Sequence, residues 1–517
     1  MKRTSKRFLA SLVIALLVGA LSQVPATAQQ TPTMGGTLRY GTVTEVASLD
    51  PHVYVGSAWK VLIEAIYSPL VGYDAAGKIV SRLAERWETP DARTTIFYLR
   101  KGVKFHDGTP LTAEDVKFSL ERILDQKTGA TLRTNLAGLK ISVGGDDTVT
   151  LATSEPNATL LSVLALPEAA IVSRKWMESG PNVKVQANGT GPFVLKAYEP
   201  SVRALLEKNP GYFIKGQPYL NSVEFRMIKS DDARVNALRT NAVDMIDFVP
   251  WKDIDTLRRA PNITVDSSGG AFMNLWFNAT KKPYNDVRVR KAFAFAIDRA
   301  AISKAAFFGH GSPIEGPPTT ADSPFYNPDL AKTYRYDPAR AKALLAEAGY
   351  PNGFDIEFLV FQGLGIYTST AQIVQANLKD VGINAKIQLV EFADLLDRKN
   401  KANYDVMIYG VSMKLTDPDV YAYYLGADST YWAKPIGYRD DVLEKLLLEG
   451  RATVDLNSRK AIYHKVEQRV METSPWVFIN FREQAQAYSK KVRGYHHLGG
   501  ALNESSAGIS LPSMWVQ

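Results

Sequence analysis

The 517-residue chain contains no cysteine. Disulfides, thiolate metal sites and cysteine nucleophiles are thereby excluded, as is a lipid-modified cysteine anchor. Histidine is scarce too: the six are His52, His106, His310, His464, His496 and His497. Only the last two adjoin, and neighbouring residues of a strand point to opposite faces, so no shared metal is expected there. Long apolar runs are nearly missing. The one example, Phe8 to about Leu21, follows Lys2, Arg3, Lys6 and Arg7 and precedes Ala26-Thr27-Ala28, the layout of a secretory signal peptide over residues 1–28. It falls short of the roughly 20 residues that a membrane span needs. The mature chain is therefore expected to be exported and free in the periplasm. Removing the four leader cations halves the formal charge of +8, and no dense Lys/Arg block follows, so nucleic acid is not an expected partner.

Catalytic constellations are absent in the same way. There is no Gly-x-Ser-x-Gly elbow, Walker loop or His-Glu-x-x-His. Asn188-Gly189-Thr190-Gly191-Pro192-Phe193 is glycine-rich but lacks a Gly-Lys-Ser/Thr ending, and it reads as a tight backbone turn. Asp417-Pro418-Asp419 pairs two carboxylates on a short turn. Glycosidases need theirs facing across about 5 to 9 Å, so a structural turn is the expectation. A hydrolase of cell-wall or saccharide fragments is the competing reading, and these absences weigh against it. No cofactor or metal is expected.

What the sequence does contain is regular. The stretch Phe97–Arg122, FYLRKGVKFHDGTPLTAEDVKFSLER, reads as two short strands, an Asp107-Gly108 turn and a helix. Thr112 stands three residues before Asp115, close to a capping box, and Val116, Leu120, Ile123 and Leu124 make one apolar stripe. Strand, helix and strand follow over Val223–Ile228, a helix capped by Ser230, and Val243–Val249. Ala271–Phe277 reads as a further strand with Asn274 and Trp276 on one face. Asp337, Pro338 and Gly349 mark the start and end of a helix. Next, Ile356–Phe361, Thr370–Val381, the alternating Ile383–Leu389, Asp394–Lys401 and Asp405–Gly410 make a βαβαβ run, which implies a parallel sheet. Ligands collect beyond the carboxyl ends of such strands, which nominates the loops Gln362–Thr368 and Val411–Asp417. Tyr421, Tyr423, Tyr424, Tyr431 and Trp432 follow closely, enough rings to stack on a ligand or to pack a core.

Four motifs carry a family resemblance: Gly35-Gly36-Thr37-Leu38 with Leu49-Asp50-Pro51, the Phe97–Val116 run, Gly189–Phe193, and Asn278 followed by Pro283–Ala292. Together they resemble the extracytoplasmic solute-binding proteins, family 5, that serve ABC importers of the peptide, opine and nickel class. The resemblance covers the whole mature chain. It implies an α/β, two-lobed periplasmic-binding-protein fold of the class with an extra subdomain, with mixed sheets, parallel βαβ units and a ligand cleft at the hinge. The implied division is 1–28 signal peptide, 29–57 lobe I, 58–187 extra subdomain, 188–277 lobe I again, 278–481 lobe II and 482–517 the last part of lobe I.

By the same resemblance the implied function is capture of a small solute and delivery to ABC permease subunits, by a monomer and without enzymatic turnover. Residues expected at the ligand are Tyr54 and Gly56, from the segment that borders it in the family, with Asn274, Trp276, Gln362, Tyr367, Ser412, Lys414, Asp417 and Trp432 from the strand, loops and aromatic run above. Peptide binders of the family hold the α-amino group with an aspartate just before the Asp-Pro-Asp turn. Here that place falls at Lys414, and no acidic residue stands between Val411 and Thr416. An unpartnered buried ammonium costs several kcal/mol, so a plain zwitterionic peptide is disfavoured. An anionic, opine-like or oligosaccharide ligand is favoured, with an ordinary di- or oligopeptide as the alternative.

Overall fold

Two long strands, Ile263–Phe277 and Trp476–Ser489, lie antiparallel at the centre of the protein and belong to both halves of one large sheet. The computed structural model describes residues 31–43, 48–53, 60–321, 323–412, 417–427, 429 and 432–517. The expected signal peptide, Tyr54, Gly56, Lys414 and Tyr431 lie outside the described residues. On one side the sheet continues from Trp476–Ser489 through Met245–Ile246, Thr37–Thr42 and Ser222–Met227 to the hairpin Arg203–Lys208 and Phe193–Glu199. On the other it runs from Ile263–Phe277 through Val406–Val411 and Phe354–Phe361 to Ile383–Val390.

The expected βαβαβ run is present. Phe354–Phe361 pairs in parallel with both Ile383–Val390 and Val406–Val411, and the helices Gly365–Asp380 and Phe392–Asn400 make the crossovers. Gly382, at φ +92°, supplies the left-handed residue that ends the first of them. The alternation of Ile383–Leu389 fails only at its end, where Leu389 is 48% exposed at the sheet edge. Ser222–Met227 and Met245–Ile246 are parallel as expected, but the Thr37–Thr42 strand lies between them. The second of the pair is far shorter than the expected Val243–Val249, because Phe248 turns to φ +47° and breaks the extended run.

Around the Phe97–Arg122 stretch a four-stranded antiparallel sheet forms from Ala84–Asp91, Thr94–Leu99, Thr148–Ala152 and Lys140–Val143. Helix Ala113–Leu124 packs with it, burying Val116, Leu120 and Ile123 beside Phe97 and Leu99. The Asp115 carboxylate accepts from Thr112 N at 2.9 Å, one half of the capping box, and also from Thr112 Oγ1 at 2.9 Å. Only one of the two expected strands exists. Val103 and Phe105 are buried, yet the segment makes a single bridge between Lys104 and Pro110, flanked by Phe105 N–H on Thr109 O (2.8 Å) and Leu111 N–H on Val103 O (2.9 Å).

Two of the sequence motifs lock onto this stretch. Arg122 donates to Asp50 Oδ1 (3.0 Å) and to His52 Nδ1 (2.7 Å), while His52 Nε2–H donates to the Ala170 carbonyl (2.9 Å). Burial lowers the His52 pKa to about 4, so the ring is neutral and both contacts are satisfied in one tautomer. His106 does the same at the glycine-rich crossing, with Nε2–H on Gly191 O (3.1 Å) and the Gly189 N–H pointing at Nδ1 (3.4 Å). Gly191 N–H bonds Ile66 O at 2.8 Å, and a Cβ on Gly191 would stand 2.5 Å from the Ala65 carbonyl oxygen. Asn188–Phe193 is thus a close backbone-to-backbone joint, as its glycines suggest.

Candidate functional site

Several of the expected residues come together near the carboxyl ends of the parallel strands Phe354–Phe361 and Val406–Val411. Tyr367, in the first turn of the crossover helix, brings its hydroxyl against the Gly410 backbone and the Arg482 side chain. A side chain at position 410 would collide with that hydroxyl, so the glycine is what admits it. Burial raises the Tyr367 pKa and keeps the hydroxyl protonated, although Arg482 opposes the shift. Two residues on, Ser412 Oγ donates to the carboxylate of Glu504, and Tyr424 donates its hydroxyl to the Ser412 carbonyl. Glu504 comes from the C-terminal segment Gly500–Ser505, so this contact ties the end of the chain to the end of the Val406–Val411 strand.

Beneath these groups lies an aromatic cluster. Trp276 stacks on Trp476 at 4.9 Å and 9°, and meets Tyr409 at 5.0 Å and Trp432 at 5.3 Å. Tyr424 closes the cluster, 5.0 Å from Trp432 and 5.5 Å from Trp476. Such pairs contribute about 0.5–1.5 kcal/mol each beyond burial. Trp276 is wholly buried, so most of its surface is committed to its neighbours. Asn274, on the same strand, is also wholly buried, and neither amide atom has a hydrogen-bond partner among the described residues.

Of the expected residues within the description, Asn274, Trp276, Tyr367, Ser412 and Trp432 therefore belong to one region. Gln362 and Asp417 face elsewhere. Gln362 is exposed and donates to Glu391 at 2.6 Å. Asp417 holds Arg459 through both carboxylate oxygens, and the neighbouring Asp419 holds Arg451 at 3.0 Å and Tyr463 at 3.0 Å. The Asp-Pro-Asp turn is accordingly a braced structural turn, as read from the sequence.

Three charged residues at the site were not foreseen. Arg482 is 3% exposed and begins a run of buried polar residues, Arg482, Gln484 and Gln486, on one face of the central strand. Asp247, 4% exposed, follows the Met245–Ile246 strand; it accepts from Thr42 Oγ1 at 3.0 Å and keeps its Oδ1 without a partner among the described residues. Burial pushes the Asp247 pKa up to about 7, with Arg234 opposing and nearby Glu504 reinforcing. Glu504 is the third. The available signal was the alternation of polar residues in Arg482–Gln486, which a solvated strand explains equally well until its burial is known.

Residues 78–432 match the model described as Bacterial extracellular solute-binding proteins, family 5 Middle. The chain belongs to this family. Among curated relatives, the glutathione-binding protein GsiB of Escherichia coli K12 is 28% identical over 465 residues, 87% of this chain and 89% of the relative. Among solved structures, the periplasmic binding protein AgaA in complex with agropinic acid, from A. tumefaciens R10, is 36% identical with a TM-score of 0.89, covering 93% of this chain and 99% of that one. The ABC transporter-associated periplasmic binding protein DppA of Helicobacter pylori, in complex with the peptide STSA, is 26% identical with a TM-score of 0.85, covering 94% and 98%. The family 5 chain thus has the two-lobed periplasmic-binding-protein fold. Among its described residues no helix is long and apolar enough to cross a membrane, and no group of three His, Asp or Glu could hold a metal.

Proposed function

We propose that this family 5 protein is the periplasmic component of an ABC importer, and that it captures an opine-like organic acid and presents it unaltered to membrane permease subunits. The observation that carries the ligand class is the 36% identity and near-complete overlap with the agropinic acid complex of AgaA. Two features of this chain support it: no acidic residue stands between Val411 and Thr416 to take a peptide amine, and Lys414 occupies that stretch. In this reading the lobes divide at residues 58, 188, 278 and 482, with 58–187 as the extra subdomain, and the protein acts as a monomer. Tyr54, Gly56 and Lys414 join Asn274, Trp276, Tyr367, Ser412 and Trp432 around the solute, which is enclosed by hinge closure about the two long strands.

A peptide ligand is the second reading, favoured by the likeness to GsiB and to DppA in complex with STSA. Calorimetry with agropinic acid, glutathione and the tetrapeptide STSA separates the two. Agropinic acid binding at least about tenfold more tightly than either peptide supports the proposal. Micromolar binding of a peptide with none of agropinic acid overturns it. Product formation from the bound solute would return the hydrolase reading.

A further inference from the structure

The two acids of the site are already engaged: Glu504 accepts from Ser412, and Asp247 from Thr42. Arg482 stands on the central strand opposite Ala271 and beside the glycine pair Gly269-Gly270, where the pairing of the two long strands slips register. Its guanidinium reaches to 3.2 Å from the position that a Gly410 Cβ would occupy, at the carboxyl end of the Val406–Val411 strand. It meets the Tyr367 hydroxyl there, and its Nε has no hydrogen-bond partner among the described residues.

A guanidinium that is 3% exposed with a donor left over is expensive unless a further acceptor meets it. Arginine presents its donors as a planar fork matched to a carboxylate. Tyr367, kept protonated by burial, adds a hydroxyl donor alongside. Asn274, with both amide atoms unpartnered among the described residues, stands on the neighbouring strand three residues from Ala271.

We infer that Arg482 and Tyr367 are the carboxylate anchor of the ligand site. This rests on the reading of the ligand as an organic acid and deepens it by naming the residues that would take the acid group. It differs from the sequence expectation, which gave that task to Lys414.

The test is calorimetry of agropinic acid and of its methyl ester, with the full exported chain and the variants Arg482→Met, Arg482→Lys and Tyr367→Phe, each checked for folding by circular dichroism. Loss of a buried charged partner predicts at least about 100-fold weaker binding for Arg482→Met. Arg482→Lys should recover part of that, and Tyr367→Phe should weaken binding about tenfold. On the unmodified protein the ester should bind at least about 30-fold more weakly than the acid, a comparison that needs no variant to fold. Wild-type binding of the acid that is matched by Arg482→Met or by the ester within about threefold overturns the inference while the function stands. If the wild type ignores agropinic acid but binds glutathione, the ligand class is wrong, and Arg482→Met then decides the anchor on glutathione by the same criterion. Binding of neither compound overturns both.

Discussion

Asp247 is a carboxyl group that the fold holds against its chemistry, and replacing it with asparagine has a calculable outcome. Its pKa rises from 3.8 to about 7 because burial penalises the charged form more than Arg234 and Thr42 relieve it. The folded state therefore binds a proton that the unfolded state has released, wherever the pH lies between those two values. Stability falls with rising pH across that window. About three pKa units at 1.36 kcal/mol each amount to about 4 kcal/mol by pH 8. An asparagine in its place would keep an oxygen for Thr42 Oγ1 and carry no charge at any pH. Urea unfolding of both proteins at unit steps from pH 4 to 8, without ligand, should show near-equal stabilities at pH 4. Asp247→Asn should gain on the wild type up to about pH 7 and level off with an advantage of about 4 kcal/mol. Parallel profiles would show that Asp247 ionises freely and is not desolvated. A variant that is less stable at every pH would show that the carboxylate has a partner worth more than its desolvation.

Glu467, with a pKa raised to about 7 by burial against the hydroxyls of Thr319 and Tyr421, should behave alike. Glu467→Gln should gain about 3 kcal/mol over the wild type between pH 4.5 and 7 in the same titration, with ligand affinity unchanged. Arg459→Met leaves Asp417 without its bidentate partner and should cost about 3–5 kcal/mol at neutral pH, read as a lower denaturation midpoint. Gly191→Ala forces a methyl onto the Ala65 and Ile66 carbonyl groups, backbone that cannot swing aside, and should destabilise by about 3 kcal/mol; a melting temperature within a degree of wild type would refute the close joint. Gly410→Ala displaces the Tyr367 hydroxyl and should lower ligand affinity about tenfold or more in calorimetry, with secondary structure retained by circular dichroism.

Much of the fold was legible because its elements are locally consistent. The Asp337–Pro338 cap, the glycine after helix Gly365–Asp380 and the βαβαβ periodicity each specify one geometry. A misreading fell where a single residue overrode the pattern, Phe248 taking a positive φ. The candidate site was legible by halves. Strand ends and aromatic density pointed to Tyr367, Ser412 and Trp432, because those signals are contiguous. Arg482, Asp247 and Glu504 are brought together only by pairing between distant segments, and nothing local distinguishes a buried arginine from a solvated one. The turn at Asp417 was legible as structural, but not its partner, Arg459, forty-two positions on.

The centre of the large sheet is completed by the last of its own strands to be synthesised. Thr37 meets Ser222 across 185 positions, and Asp266 meets Tyr488 across 222. Loop closures of that length precede any reward from pairing, which makes folding slow. Until residues 476–489 arrive, Ile263–Phe277 and Met245–Ile246 each have an open edge with no strand to cap it. A nascent or truncated chain ending before Trp476 would carry those edges exposed, a template for aggregation. The two central strands are thus also the reason the protein must be whole before it can be stable.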